Sequence, residues 1–341
     1  MIVVFGAEGF VGTYLVEELI SEGFDVLAVG LDKLGEAYYA QRRIPFARVD
    51  ITKERQFRIL PAKADTSSSV VNLACLQPAN VSEEQYKPTD YIKVNVLGTL
   101  NILDFCRKVG IRKIVYTISH RSVQGLWERG RIITEDDTKA IKYTGEHTMY
   151  SISESAAADC VLHYSEQYGM QGIIFRLPPI YGYGPHTEGF KNGKPQKTGF
   201  QVFVENATRG EPIELWGDCE KGRDIISVKD VVFAIVLALK SGTAHGLYNI
   251  ASGRKLSLKE EAEEIIKAFS PKDRPSKIVY RPDKPNSIEP FLYDISKAKR
   301  DLGWSPRYSF AEMLEDYKRE MKCGRFGFLL EKRRRMMRQR R

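Results

Sequence analysis

A glycine-rich turn near the N-terminus constrains the fold more than any other feature. Gly6, Gly9 and Gly12 are spaced three residues apart, directly after the apolar run Ile2–Phe5 and at the start of an amphipathic segment closed by Gly23. Gly6 permits a tight turn, Gly9 lets a pyrophosphate approach the backbone, and Gly12 lets a helix pack closely on the strand. The helix N-terminus supplies oriented N–H groups for an anion. This pattern predicts a strand-turn-helix unit that binds a dinucleotide.

The first half of the chain repeats the alternation of strand and helix. Short runs that are too apolar for a one-sided sheet predict strands, and amphipathic segments that end at a glycine predict helices. The predicted strands are 2–5, 26–29, 46–49, 69–74, 113–119 and 172–177, and the clearest predicted helices are 11–22 and 96–109. Repeated β-α-β units predict an α/β fold with a Rossmann-type, doubly wound parallel sheet.

The sequence changes character after residue 177, where a stretch rich in Pro and Gly begins. We interpret residues 1–177 as an NAD(P)-binding Rossmann domain, completed by about 224–252. Residues 178–223 and 253–322 are expected to form a smaller α/β C-terminal lobe that binds substrate. Residues 323–341 are interpreted as a basic, flexible tail.

The charge of the chain is concentrated in that tail. From residue 331 onward there are seven Lys or Arg and one Glu, a net +6 of the total +8, which leaves +2 for the preceding 330 residues. The globular part is near neutral, so its charge gives no argument for nucleic-acid binding. The partner of the tail is unknown: RNA, an anionic lipid and an acidic partner all suit its charge, as does simple solvation.

Composition excludes several other classes of protein. No apolar run approaches the ~18 to 20 residues that a membrane span needs. Five scattered cysteines without a C-x-x-C pair argue against a disulfide framework and favour a reducing cytoplasm. The five His residues form no ligand pair, and no export signal precedes the first strand. We therefore expect a cytoplasmic protein without a metal site.

The end of the second strand bears on which dinucleotide binds. An acidic residue is expected there to hold the adenosine ribose, but Gly30 occupies the position and Asp32 and Lys33 follow. Asp32 reaching the ribose hydroxyls favours NAD, whereas Gly30 with Lys33 leaves room for the 2′-phosphate of NADP. We expect NAD, with NADP as the alternative. Asp50 and Ile51, after the third strand, are placed to cover the adenine.

A series of motifs follows in order over residues 1–320: Gly6-x-x-Gly9-Phe10-x-Gly12, Asn72-Leu73-Ala74, Asn95-Val96-Leu97-Gly98-Thr99, Tyr150 opening a helix, Arg223-Asp224, Tyr248-Asn249-Ile250 and Leu302-Gly303-Trp304. The series resembles the extended short-chain dehydrogenase/reductase family, in particular its nucleotide-sugar epimerases and dehydratases. The resemblance implies an NAD-dependent enzyme that oxidises a sugar carbon transiently. It also implies that NAD contacts the three glycines and Phe10, Val11, Leu73, Ala74, Asn95, Tyr150 and Pro178.

The catalytic positions depart from the pattern of that family. There, a Tyr deprotonates a sugar hydroxyl, a Lys four residues later lowers the pKa of the Tyr, and a Ser or Thr after the fifth strand assists. Here the Tyr is Tyr150, the Lys position holds Glu154, and the Ser or Thr position holds His120, preceded by Ser119. An ionised carboxylate ~5 Å from Tyr150, at an effective dielectric of ~20, opposes ionisation of the Tyr by about 3 kcal/mol.

Two interpretations of this site remain open. In the first, the chemistry persists, with His120 as the base and Glu154 orienting it, or with Lys142 supplying the missing cation. In the second, hydride chemistry is lost, and the protein binds a nucleotide or nucleotide sugar in a regulatory or scaffold role. We expect the enzyme.

The substrate side of the site is partly retained. Arg223 matches the Arg that contacts the substrate diphosphate in the family, and a guanidinium suits two phosphate oxygens. Its alternative interpretation is a surface Arg paired with Asp224. Pro179 lies where many members carry a substrate-binding Asn. Helix 151–168 corresponds to half of a four-helix dimer interface, so the resemblance also implies a homodimer.

Overall fold

The computed structural model describes residues 1–60, 67–78, 87–127, 129–145, 147–185, 188–191, 194–286 and 288–330, without the side chains of 188–191, 194 and 195. The strands are β1 Ile2–Phe5, β2 Val26–Gly30, β3 Phe46–Arg48, β4 Ser69–Asn72, β5 Lys113–Ser119, β6 Ile132–Ile133, β7 Gln171–Leu177, β8 Ile180–Tyr181, β9 Glu188–Lys191, β10 Lys194–Lys197, β11 Ile213–Trp216, β12 Gly222–Asp224, β13 Ile226–Ser227, β14 Gly246–Asn249, β15 Lys255–Ser257, β16 Ile278–Arg281 and β17 Leu292–Tyr293. The helices are α1 Phe10–Ser21, α2 Lys33–Gln41, α3 Pro88–Tyr91, α4 Gly98–Val109, α5 Thr148–Tyr168, α6 Gly199–Arg209, α7 Val228–Lys240, α8 Leu258–Phe269, α9 Ser296–Leu302 and α10 Phe310–Cys323.

Seven of the strands form one parallel sheet. Its order is β14-β7-β5-β4-β1-β2-β3, and each neighbouring pair is parallel. The strand order reverses at β1, so the carboxyl ends of β1 and β4 border a crevice of the kind that binds ligands in open α/β sheets. The predicted α/β, doubly wound sheet is confirmed.

Helices cover both faces of the sheet. Val4 packs with Leu15 of α1 and Ile235 of α7 on one face. The adjacent Val3 faces the other way and packs in a second core with Ile102 of α4 and Val161 of α5. Because both faces are buried, β1 is apolar at every position, which is the pattern that made it recognisable in the sequence.

A third core lies in the C-terminal lobe. Its buried side chains come from α6, β11, α8 and α10, for example Phe203, Leu215, Ile265 and Leu314. Two short strands connect the lobe to the rest of the chain: β8, which follows β7 closely, pairs in parallel with β13. The edge strand β14 comes from within the range expected to complete the Rossmann domain.

The chain beyond α10 returns to the N-terminal helices. Phe326 is fully buried, with its ring centroid 6.1 Å from Phe10 and 5.5 Å from Tyr14. Phe328 lies 4.4 Å from Tyr38 of α2. The part of the expected flexible tail that the structure describes, residues 323–330, therefore contains two packed rings, and the flexibility of the tail stays a prediction. Residues 331–341, which carry the basic run, lie outside the described residues.

Within the part of the chain that the structure describes, no helix is both long enough and apolar enough to cross a membrane.

Candidate active site

The glycine turn between β1 and α1 forms a backbone cradle. A Cβ atom at Gly6 would lie 2.7 Å from the backbone of Leu73 and Ala74, and one at Gly12 would lie 2.2 Å from the carbonyl oxygen of Gly6. Gly6 also has a φ of +76°, which favours glycine. Gly9 is the N-cap of α1 and brings no side chain there. The cradle therefore fits the pyrophosphate of a dinucleotide, with Phe10 and Val11 opening the helix beside it.

The loop after β4 is held next to this cradle. The amide of Leu73 donates to the carbonyl of Phe5 (3.0 Å), and that of Ala74 donates to the side-chain oxygen of Asn72 (3.1 Å). Asn95 lies on a π-helical turn, Ile92–Leu97, and is fully buried. Its side chain accepts from the amide of Leu76 (2.7 Å) and donates to the hydroxyl of Ser153 on α5 (2.9 Å), so it ties the loop to the helix that carries Tyr150 and Glu154.

Glu154 is a buried carboxyl group at the carboxyl end of β5. Glu154 belongs to α5, and the residue is only 4% exposed. One oxygen accepts from the amide of Ser119 (2.9 Å), and the Tyr150 hydroxyl and the Cys75 thiol lie close enough to the carboxyl group to act on its pKa through hydrogen bonding. Burial raises the pKa of Glu154 to about 7, although these hydrogen bonds oppose the rise. The group is therefore close to half-ionised near neutral pH.

Tyr150 lies on α5 four residues before Glu154, which is about one helical turn. Burial raises the pKa of Tyr150 well above its usual value, and the negative charge of Glu154 is the second-largest cause of the rise. The hydroxyl consequently stays protonated at neutral pH, the form in which it donates hydrogen bonds, and Glu154 is the carboxyl group beside it. The structure thus brings the two predicted residues together, in an arrangement where the carboxyl group is the partner that titrates near neutral pH.

His120 lies at the start of a 3-10 segment, His120–Leu126, after β5. Its ring stacks on Trp127 (5.2 Å) and Phe291 (5.4 Å), and its Nδ1 lies 3.2 Å from the carbonyl oxygen of Leu177. Because a carbonyl can only accept, Nδ1 carries the proton. Burial, with Arg121 and Arg223 nearby, holds the pKa of His120 well below its usual value, so the ring is neutral.

Ser119 lies between Glu154 and His120 and contacts both. Its amide donates to Glu154, while its hydroxyl accepts from the amide of Arg121 (3.2 Å) and lies 3.4 Å from Nδ1 of His120. All four predicted catalytic residues therefore lie at the carboxyl end of β5 or on the first two turns of α5. The cradle follows the carboxyl end of β1, so it lies at the same edge of the sheet.

Arg121 and Cys75 were not predicted from the sequence. Arg121 donates to the side chain of Gln124 (3.1 Å) and lies within electrostatic reach of Tyr150 and His147. Cys75 follows the predicted Ala74 directly, and burial raises the pKa of its thiol. The signal for Cys75 was its position after β4, whereas Arg121 is turned into the site by a 3-10 segment that no sequence pattern indicated.

Arg223 is placed by β12, which pairs with β15. It lies close enough to Tyr181 and Glu261 for both to raise its pKa, and the Tyr181 hydroxyl donates to a carboxylate oxygen of Glu261 (3.1 Å). Asp224 faces elsewhere: its carboxylate accepts from the amide and hydroxyl of Ser252 (2.9 and 2.7 Å). Arg223 therefore points toward the site with Tyr181, and the alternative of an Arg223–Asp224 surface pair does not describe this structure.

The remaining predicted ligand-binding residues have local roles. Asp32 caps α2 by accepting from the amide of Leu34 (2.8 Å), and Asp50 accepts from the amide and hydroxyl of Thr52 (2.9 and 2.7 Å). Ile51 is buried against Gly98 at the start of α4. Contact of these residues with adenosine stays a prediction.

Two prolines and a lysine complete the set of predicted residues. Pro178 is buried directly after β7, and the carbonyl of Pro179 accepts from the amide of Ile226 (3.1 Å). Lys142 is exposed and pairs with Glu289 (3.1 Å). The ion pair gives Lys142 a partner other than Tyr150.

A parallel sheet with a glycine cradle at its switch point is the architecture of Rossmann-type dinucleotide-binding enzymes. The model of the NAD-dependent epimerase/dehydratase family matches residues 2–251. The chain belongs to this family, it is an enzyme of NAD-dependent epimerase/dehydratase type, and its cofactor is NAD.

Individual relatives cover nearly the whole chain. UDP-glucuronic acid decarboxylase 1 of Arabidopsis thaliana is 27% identical over 324 residues, which are 92% of this chain and 68% of that protein. A putative UDP-glucose 4-epimerase of Methanocaldococcus jannaschii is 25% identical over 312 residues, 92% of this chain and 95% of that protein.

Solved structures share the fold. The UDP-glucose 4-epimerase of Thermus thermophilus, in complex with NAD, has a TM-score of 0.71 and 25% identity, covering 93% of this chain and 98% of that one. The UDP-glucose 4-epimerase of Thermotoga maritima, with UDP-glucose, has a TM-score of 0.76 over 94% of this chain and 98% of that one. At 24% identity, the second likeness shows the fold alone.

Proposed function

We propose that this enzyme oxidises and re-reduces a carbon of a nucleotide sugar, giving an epimerisation or a related dehydration or decarboxylation, with a Tyr150–Glu154 pair handling the proton. The observation that carries the proposal is that the Tyr150 hydroxyl lies beside a buried carboxyl group, that of Glu154, whose pKa burial raises to about 7. A base performs best when its pKa lies near the working pH, and Glu154 meets that condition.

The proton moves through two groups. When the substrate carbon loses hydride, its hydroxyl proton passes to the Oη of Tyr150 while the proton of Tyr150 passes to the ionised Glu154. Tyr150 remains neutral throughout, so the Lys that usually stabilises a tyrosinate is not needed. Reversal of both transfers returns the proton when the carbon is reduced again. Bound NAD supplies the hydride acceptor and, on the return step, the hydride donor.

The surroundings of Glu154 support this role. The amide of Ser119 donates to one oxygen, which fixes the carboxyl group and lowers the cost of its ionisation. His120 is a weaker candidate for the base, because its pKa is well below neutral and its proton on Nδ1 is directed at the carbonyl of Leu177. Its Nε2 is left to accept a hydrogen bond, which suits positioning of a substrate hydroxyl.

Two guanidinium groups favour an anionic substrate. Arg121 and Arg223 both lie close enough to His120 to lower the pKa of that ring. Arg223 approaches from the C-terminal lobe and Arg121 from the Rossmann domain, so a diphosphate between the lobes would meet two positive charges. The names of the relatives, which include enzymes of UDP-glucose and UDP-glucuronic acid, agree with this substrate class.

We also propose a cytoplasmic homodimer. All five cysteines are free thiols, which suits a reducing compartment. Leu97, beside α4, and Leu162 and Tyr168, on α5, are large exposed apolar side chains on neighbouring helices.

Single-turnover absorbance tests the proposal directly. The NAD-loaded enzyme is mixed with a panel of nucleotide sugars between pH 5 and 9, and the band of reduced nicotinamide is followed. We expect a transient signal that grows as the pH rises through about 7, the pKa of Glu154. Tyr150→Phe and Glu154→Gln should each lower its rate by about 10²- to 10⁴-fold, the usual contribution of general acid–base catalysis.

Lys142→Met is the matched control, because Lys142 is exposed and paired with Glu289. Its signal should equal that of the wild type. A signal that persists in Glu154→Gln would remove Glu154 from the proton path. Silence of the wild type across the panel, with Glu154→Lys gaining a signal, would favour the alternative of a nucleotide-sugar-binding protein that has lost its chemistry.

A further inference from the structure

The end of β2 lacks the acidic side chain that a Rossmann domain places there for the adenosine ribose. β2 ends at Gly30, and the next acidic residue, Asp32, uses its carboxylate as the N-cap of α2. The fingerprint expects the acid about 20 residues after the glycine turn, close to Gly30. The chain therefore needs either a different carboxylate or a different ribose contact.

A carboxylate from the glycine turn itself occupies this place. Glu8 lies between Gly6 and Gly9, and a Cβ atom built on Gly30 would be 2.9 Å from both the carboxyl carbon and Oε2 of Glu8. If residue 30 were Asp, its carboxyl carbon would lie one bond beyond that Cβ. The Glu8 carboxylate thus lies close to the position that the carboxylate of an acidic residue 30, at the end of β2, would occupy.

The backbone holds the Glu8 carboxylate in a defined orientation. Oε1 accepts from the amide of Leu31 and Oε2 from the amide of Asp32, both at 3.0 Å. A Cβ at Gly35 would lie 2.4 Å from Oε2. Two glycines therefore leave the space that Glu8 occupies, and a larger residue at either position would displace it.

We propose that Glu8 is the residue that binds the ribose hydroxyls of the adenosine half of NAD and discriminates against NADP. A carboxylate is an acceptor-only group with about four acceptor positions, which is the chemistry that binding of ribose hydroxyls requires. The 2′-phosphate of NADP would bring negative charge against the same carboxylate. This inference rests on the NAD-dependent function proposed above and assigns specificity to a residue of the turn.

Calorimetric titration of the full-length protein with NAD and with NADP, in the absence of any sugar, tests the assignment. The wild type should bind NAD more tightly than NADP. Glu8→Gln keeps the shape and removes the charge, and it should weaken NAD binding by about 10-fold or more, the usual effect of losing hydrogen bonds to a charged group. Its affinity for NADP should be unchanged or higher.

Two further variants separate position from charge. Asp32→Asn, which retains a good N-cap, tests the competing prediction that Asp32 binds the ribose: with Glu8 in that role, this variant should bind NAD as the wild type does. The double variant Glu8→Ser with Gly30→Asp moves the carboxylate back to the strand end and should restore the preference for NAD. If Glu8→Gln fails to fold, as judged by circular dichroism, Gly30→Ala is the substitute: it keeps Glu8 but pushes its carboxylate away, and it should weaken NAD binding.

The outcomes distinguish the two proposals. Three results would each overturn the role of Glu8 and leave the Tyr150–Glu154 chemistry untouched. They are wild-type affinity for NAD in Glu8→Gln, a loss of NAD affinity in Asp32→Asn, and tighter binding of NAD when Glu8 is removed. A second outcome would overturn the chemistry and support the role of Glu8: the wild type binds NAD but shows no hydride transfer, and Glu8→Gln no longer binds NAD. A wild type that binds neither dinucleotide would overturn both.

Discussion

Glu154 shows how burial changes the chemistry that a residue type suggests. Considered as an ionised group in the sequence, it suppresses Tyr150 as a base. In the structure it is enclosed with the Tyr150 hydroxyl and the Cys75 thiol, and its pKa rises to about 7. A carboxyl group that is partly protonated at neutral pH opposes Tyr150 less and can itself accept the proton.

The pH dependence of catalysis follows from this pKa. We expect kcat/KM to fall tenfold per pH unit well below pH 7, because Glu154 must be ionised to accept a proton in the free enzyme. Steady-state rates with the responding sugar from the panel, measured from pH 5 to 9, check this. A profile that is flat down to pH 5, or one that rises only near the usual pKa of a Tyr, would contradict the assignment.

The same pKa has a consequence for stability. The carboxyl group of Glu154 binds its proton more tightly when folded, so between its usual pKa of 4.5 and about 7 the folded protein holds more protons than the unfolded chain. Stability therefore decreases as the pH rises through this window, by about 3 kcal/mol for a shift of this size. Glu154→Gln should remove that loss, and its melting temperature should exceed that of the wild type at pH 8 but not at pH 4.5.

Glu312→Gln provides a control of opposite sign. Hydrogen bonds from Ser309 lower the pKa of Glu312 in the capping box of α10, so its ionised form stabilises the fold above its unfolded pKa. This variant should gain no stability at pH 8. Equal pH profiles of stability for the wild type and Glu154→Gln would show that Glu154 titrates at its ordinary pKa.

The sequence was sufficient to predict the Tyr150–Glu154 contact but not its character. Residues four apart on a helix share a face, so their proximity follows from spacing alone. Burial depends on what covers that face, and here it is the end of β5 and the loop after β4, which are 30 or more residues away in the chain. The same holds for Glu8, whose significance appears only when Gly30 and Gly35 are seen to enclose it.

At the scale of elements, the six predicted strands match the sheet within two residues at either end. Continuous apolar runs of β-branched residues identify them well, because both faces of each strand are buried. The π-helical turn Ile92–Leu97 and the 3-10 segment His120–Leu126 were not predicted. Each is set by contacts to distant chain, such as Asn95 with Leu76 and the Tyr293 hydroxyl with the carbonyl of His120 (3.3 Å).

The segment after α10, residues 324–330, packs on the N-terminal helices. Its one basic residue, Arg325, pairs with Glu17 and Glu320. Since Phe326 contacts Phe10 at the first turn of α1, the segment supports the helix that begins at the glycine cradle. We expect Phe326→Ala to destabilise the protein by about 3 to 5 kcal/mol, the usual cost of removing a buried Phe, and to weaken NAD binding. Urea unfolding and calorimetric titration measure the two effects.

Phe328→Ala is the matched control for this prediction. Phe328 is only partly buried and contacts Tyr38 on α2 rather than the first turn of α1. Its loss of stability should be smaller, and its affinity for NAD should stay near that of the wild type. Equal losses of NAD affinity in both variants would show that the segment acts on the fold as a whole and not on the cradle.

At the scale of the whole molecule, the architecture explains why two separate parts of the chain are needed for one site. The switch point at β1 provides the cradle, the end of β5 and α5 carry the residues proposed to transfer the proton, and the C-terminal lobe carries Arg223. The sequence indicates such a division by its change in character after residue 177, and the boundaries of the two parts stay a prediction. It could not predict which polar residues of the lobe turn inward, because Arg223 and Asp224 are adjacent and face different partners.

The α4–α5 surface carries the last prediction, which concerns assembly. The two helices are tied together by the Tyr164 hydroxyl, which donates to Asp104 (2.8 Å), and Leu162 beside them is 39% exposed. Pairing of this surface with a second copy would remove Leu162 and Tyr168 from water, and apolar burial of that kind drives association. We expect a dimer in sedimentation velocity, and a monomer for Leu162→Arg because a charge would then be buried at the interface.

Tyr280→Arg is the control for this experiment. Tyr280 lies on β16 in the C-terminal lobe and is 52% exposed, so it is an apolar surface residue outside the α4–α5 surface. The variant should remain a dimer, and both variants should bind NAD, since neither residue lies at the cradle. A wild type that sediments as a monomer at all concentrations would contradict the proposed dimer. A dimer that persists in Leu162→Arg but dissociates in Tyr280→Arg would instead place the interface on the C-terminal lobe.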